Sequence, residues 1–168
     1  MIEFDFVPRS DDRSWMERSP NVLASPEMPA DLRSLTADDF TFRYFRVNVL
    51  LRINGVDFSI MTPGLPLMDF ILMLKQAVWE IDAAGQGAVE TSQTQHAIDF
   101  VAVDDLIRIR ASFSSGEVEV TRLEFDNFVE RATKKALELL FNSHSELKQN
   151  QYLASLKRSG ARDGDISS

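Results

Sequence analysis

Residues 47–60, VNVLLRINGVDFSI, leave a folding chain little choice. Asn54-Gly55 favours a two-residue type I′ turn, because both central positions need positive φ and these residues tolerate it. That turn sets Ile53 opposite Val56, Leu51 opposite Phe58 and Val49 opposite Ile60. All six are apolar, and alternation along each strand places them on one face. Arg52 then lies across from Asp57 on the other face, a favourable cross-strand pair. A one-residue slip would turn the apolar set to water and break that pair, so the register is well specified. Upstream, Phe45 and Val47 extend the buried face, while Phe42, Tyr44, Arg46 and Asn48 point away from it.

The flanking segments follow the same logic. Ile2, Phe4 and Phe6 alternate with Glu3 and Asp5 as a short strand over residues 1–8. Residues 9–40 hold Pro20, Pro26 and Pro29 among acidic and small polar residues, with Trp15 isolated; they read as a long arm with short helical turns at most, as over 29–35. After the hairpin, Pro66 suits a first helical position and Asp69 a first turn. Leu67, Phe70, Ile71, Leu74, Val78 and Ile81 then fall on one helical stripe, and Gly85 suits the stop. Met68, Leu72 and Trp79 form a second apolar stripe beside the first. Residues 88–95 are polar and ambiguous.

A second meander starts at His96. With Asp104-Asp105 as its turn, Ala102 faces Ile107, Phe100 faces Ile109, Ile98 faces Ala111, and Asp99 meets Arg110 on the other side. A turn at 114–117 would set Phe113 against Val118 and Ala111 against Val120. A helix over about residues 125–142 buries Phe125, Phe128, Val129, Ala132, Ala136, Leu139 and Leu140. Ser143 and Glu146 have capping-box spacing, which predicts a last helix to about Lys157. The expected fold is α+β: an antiparallel sheet of roughly five to seven strands packed on one face by two to three helices. Residues 1–40 form an N-terminal strand and Pro-containing acidic arm, residues 41–158 the α+β domain, and residues 159–168 a disordered tail.

Composition narrows the function classes. The chain has 168 residues, no cysteine and a formal charge of −8. Disulfide and thiolate chemistry are excluded, and a reducing, cytoplasmic setting is the simpler expectation. The start MIEFDFVPRS has no secretory pattern, and the longest apolar run is too short for a bilayer. Acidity disfavours nucleic acid and anionic lipid and permits a basic protein partner.

No reactive cluster is legible. His96 and His144 lie in different elements: His96 on the inner face opposite Phe113, and His144 in the first turn of the last helix, exposed. No metal or cofactor is expected. Gly85-Gln86-Gly87 leaves a helix instead of opening one, so it is no phosphate loop. The pairs Asp11-Asp12, Asp38-Asp39 and Asp104-Asp105 sit at turns or loops, where turn propensity accounts for them. Arg46, Arg52, Arg108 and Arg110 interleave with Phe42, Tyr44 and Val101 on the outer sheet face. That pattern can bind single strands, yet Asp57 and Asp99 already oppose two of the arginines. A protein-binding face is the better functional alternative.

The strings FRVNVLLRINGVDF, LPLMDFILMLKQAVWEI, RLEFDNFVERATKKALELL and HSELKQN resemble small uncharacterised bacterial α+β proteins, including immunity-type proteins of toxin systems. The likeness covers residues 42–156 and omits the arm. It implies a stoichiometric binder that blocks a toxin, with no catalytic residues to carry over. Three readings follow. The first is a non-enzymatic interaction protein that neutralises a basic toxin, with Asp11, Asp12, Asp38, Asp39, Asp104 and Asp105 as contacts. The second is a ligand-binding protein or enzyme built on His96 and Asp99. The third is a structural subunit that self-associates through Met68, Leu72 and Trp79.

Overall fold

The computed structural model describes residues 1–17, 31–92 and 94–159. Pro20, Pro26, Pro29 and residues 160–168 of the tail lie outside the described residues. The α+β class stands, with antiparallel sheets packed against helices. The strands divide between two four-stranded sheets instead of forming one.

In the first sheet β1 (Ile2–Pro8) pairs along its whole length with β2 (Arg46–Ile53). The short β3 (Val56–Asp57) and β4 (Ile60–Pro66) share the other edge of β2. The expected register is present: Ile53 opposite Val56, Arg52 opposite Asp57 and Val49 opposite Ile60. Asn54 and Gly55 both have positive φ, as the turn requires. Ser59 takes the place of a ladder partner, its hydroxyl accepting from the Leu51 amide at 3.1 Å.

The hairpin does not extend upstream as expected. A wide π-turn spans Asp39–Arg43, the strand begins only at Arg46, and Tyr44 is buried instead of outward. Phe45 is fully buried at a φ of 61°, a conformation that costs a non-glycine residue about 1–3 kcal/mol. Its surroundings over-determine it. Its amide donates to Ser14 Oγ, its carbonyl accepts from the Leu67 amide, and its ring packs between Trp15 and Phe40.

α1 (Leu67–Ala84) starts after Pro66 and ends at Gly85, whose φ of 72° supplies the left-handed stop. The chain then turns back as β5 (Gln86–Glu90), a strand that the polar sequence there does not announce. β5 is one edge of the second sheet, followed by β6 (Ala97–Val103), β7 (Leu106–Ala111) and β8 (Glu117–Thr121). The β6–β7 pairs match expectation from Ile98–Ala111 to Ala102–Ile107. The β7–β8 register differs: Ile109 faces Val118 and Ile107 faces Val120. Residues 112–116 leave the ladder because Ser112 bonds Ala97 and Phe113 packs on the His96 ring. The shift is even, so the apolar face is preserved.

α2 (Arg122–Ser143) is capped by Thr121 Oγ1 on the Glu124 amide. It spans both sheets: Phe125 meets Phe100 of the second sheet, and Phe128 meets Phe4 of the first edge-on. Phe70 of α1 meets Phe6 in the same way. The single last helix expected from Ser143 is instead a 3-10 turn, Ser145–Gln149, followed by α3 (Gln151–Ser159). Ser143 donates back to the Leu140 carbonyl and caps nothing forward, so the chain restarts at Asn150.

Candidate functional site

The helices cover one face of the first sheet and leave the other to solvent. Alternation along β1 and β2 turns Glu3, Asp5 and Val7 outward beside Asn48, Leu50 and Arg52. The register lays these out in rows. Arg52 stands between Glu3 and Asp57, and Leu50 stands beside Asp5. Leu50 and Met61 are 37% and 46% exposed. With Glu3, Asp5, Arg52 and Asp57 they line an open hollow of about 530 Å³.

The charges around the hollow are held in place. The Lys135 ammonium, 2.9 Å from Asp5, keeps that carboxyl below its ordinary range. The Ser59 donors do the same for Asp57. Arg52 has no ion pair within 4 Å among the described residues, although it faces two carboxylates across the strands. At the far end Arg9 donates to Asn48, to the Met61 carbonyl and to Asp11. The hollow is therefore an apolar strip with three carboxylates on its walls and the Arg52 guanidinium between two of them, where its charge helps hold the Asp57 carboxyl low. It can hold apolar and cationic groups of a partner surface. Strand alternation signals the outward faces of β1 and β2 separately, but their adjacency depends on a pairing across 39 or more residues.

The acidic pairs read from sequence do not converge. Asp11 is exposed and bonded to Arg9. Asp12 is half-buried and accepts from the Ser14 hydroxyl and from the Ser14 and Arg46 amides. Asp38 is exposed, whereas Asp39 accepts from the Thr36 amide and hydroxyl. Asp104 and Asp105 are exposed in the β6–β7 turn. The basic–aromatic face is not assembled either. Phe42 lies in the π-turn, Tyr44 is buried, and the four arginines divide between the two sheets. Arg108 pairs with Glu117 and Glu119, and Arg110 pairs with Asp99 as expected.

One assembly invites a catalytic reading: Asp12, Ser14 and His144 are joined through hydrogen bonds. Its polarity is wrong for nucleophilic chemistry. Ser14 Oγ donates to Asp12 at 2.6 Å and accepts from the Phe45 amide, so its proton faces a carboxylate. The His144 ring bonds the Ser14 carbonyl at 2.7 Å and does not reach the hydroxyl. Ser14 and His144 are buried, which corrects the expectation of an exposed His144; the arm packs over it. The network fastens the arm to the start of β2. Asn150, fully buried, fastens the arm's other end, with Nδ2 reaching the carbonyls of Leu32, Arg33 and Leu35.

His96 packs on Phe113 at 4.6 Å, and its buried Nδ1 has no hydrogen-bond partner among the described residues. Asp99, its proposed acid–base companion, turns to Arg110 on the outer face. On α1, Met68 is buried, Leu72 is half-buried and Trp79 is 68% exposed, so the second stripe reaches solvent only towards its C-terminal end. Asp69 is buried and accepts from the Ser92 amide and hydroxyl; burial pushes its carboxyl above the ordinary range. No group of three or more His, Asp or Glu among the described residues could hold a metal ion, and no described helix is long and apolar enough to cross a membrane. No protein-family model, curated protein or solved structure matches the chain.

Proposed function

We propose that this chain is a non-enzymatic interaction protein of the immunity type, which binds and neutralises a basic protein partner through the outer face of its first sheet. The observation that carries the reading is the open hollow, with Leu50 and Met61 exposed between the carboxylates of Glu3, Asp5 and Asp57. Interfaces of this kind place an apolar centre inside a charged rim. A formal charge of −8 would speed encounter with a cationic partner and repel acidic competitors. Asp12, Ser14 and His144, the one hydrogen-bonded Ser–His–Asp assembly described above, are engaged in holding the arm.

The test is capture from a lysate of the source cells on immobilised chain, wild type beside a Leu50→Asp, Glu3→Lys variant. Both substituted side chains face solvent, so the fold should survive, as circular dichroism would verify. The wild type retains a basic protein at low salt and releases it at high salt, and the variant retains much less. Equal retention by both proteins, or no specific protein at low salt, refutes the reading.

A further inference from the structure

The solvent face of α1 shows a pattern that the first sheet does not explain. Leu72, Gln76, Trp79 and Ala83 follow heptad spacing, alternating four and three residues apart, and line one seam. Trp79 stands at the middle of the exposed arc. Lys75 and Asp82 lie two turns apart, hence on one flank of that seam.

The flank is electrically unbalanced in two places. Lys75 is half-buried and has no ion pair within 4 Å among the described residues; burial lowers its ammonium pKa. Two turns further on, Arg122 joins Asp82 at 2.8 Å and Asp126 at 3.0 Å. Two carboxylates around one guanidinium leave that cluster with one net negative charge.

We infer that this face of α1 docks a second copy of the chain, with the two α1 helices antiparallel about a two-fold axis. The occupant follows from the charges. In an antiparallel helix pair like flanks meet like flanks. A two-fold centred between Val78 and Trp79 brings Lys75 of one copy to the Asp82–Arg122–Asp126 cluster of the other, and the symmetry repeats the contact. The same alignment lays the Leu72–Trp79–Ala83 seam on itself and covers both exposed indoles. One helix face per copy is a small interface, so the dimer is weak and forms with rising concentration. This inference is independent of the partner proposed for the first sheet.

Sedimentation velocity of the full chain, from micromolar to near-millimolar concentration, provides the test. The wild type shifts from monomer towards dimer, and Trp79→Ala stays monomeric. Lys75→Glu and Asp82→Lys each weaken association about tenfold, because each sets like charges face to face. Mixing those two variants restores it. In the mixed dimer the carboxylate introduced at position 75 meets the ammonium introduced at position 82, and the other contact keeps its original pair of Lys75 and Asp82. Circular dichroism confirms that each variant is folded. A wild type that is monomeric throughout, association unchanged by Trp79→Ala, or a mixture that sediments as two monomers each overturns the inference.

Discussion

Replacing Asn150 tests the account of how the arm is held. Its Nδ2 carries two hydrogens and lies 3.2, 3.1 and 2.9 Å from the carbonyls of Leu32, Arg33 and Leu35, so at least one hydrogen is shared. Its Oδ1 accepts from the Leu153 amide at 3.1 Å and caps α3. Asn150→Ala removes the cap, worth about 1 kcal/mol. It also strands the buried Leu35 carbonyl, at about 1–3 kcal/mol. The Leu32 carbonyl keeps a backbone partner in the Leu35 amide and suffers less. The expected loss is about 2–4 kcal/mol, a large part of the roughly 5–15 kcal/mol that holds a domain folded. Asn150→Asp separates the two roles. It keeps the cap acceptor but turns a carboxylate towards three carbonyls, so it should be at least as damaging as alanine at neutral pH. Urea unfolding with linear extrapolation reads both variants. A loss below about 1 kcal/mol for alanine, or wild-type stability for aspartate, would refute the clamp.

Other substitutions test separate elements. Asp69 has its folded pKa raised by burial, so its favourable contribution is full below the unfolded value of 3.8 and is lost as pH rises through the folded pKa. Asp69→Asn keeps an acceptor for Ser92, so it should stabilise the fold at neutral pH, with an advantage that vanishes in acid; thermal melts across pH would show it, and a pH-independent effect would exclude the mechanism. At Gly64, where φ is +70° and an added Cβ would lie 2.7 Å from the Val47 carbonyl, alanine should cost more than about 1 kcal/mol in the same urea assay. Thr121→Ala should cost about 1 kcal/mol by removing the α2 cap. Phe125→Ala should cost about 3–5 kcal/mol, because its fully buried ring packs against Phe100.

The parts legible in advance were those that neighbouring residues specify. The Asn54-Gly55 turn, the β6–β7 register and the Gly85 stop each depend on φ preference or alternation within a few positions. So does the apolar stripe of α2, where Phe125, Phe128, Val129, Ala132, Ala136 and Leu140 are buried as read. The failures share a different cause. Local pattern turns Tyr44 and His144 outward, yet both are buried; at His144 the arm, arriving from far along the chain, packs over the ring through the Ser14 carbonyl. β5 carries few apolar residues because it is an edge strand, with Glu80 of α1 accepting from its Ala88 amide.

The same division holds for the candidate site. Local chain chemistry settled which residues of β1 and β2 face out, since side-chain alternation needs no distant partner. It also settled the class of fold. Assembly in three dimensions chose the neighbours: Glu3 beside Arg52, Asp5 beside Leu50, and α2 laid across two sheets instead of one. Those choices rest on contacts between residues dozens of positions apart, where loop closure and packing of the whole core compete, and no short window of sequence records the outcome.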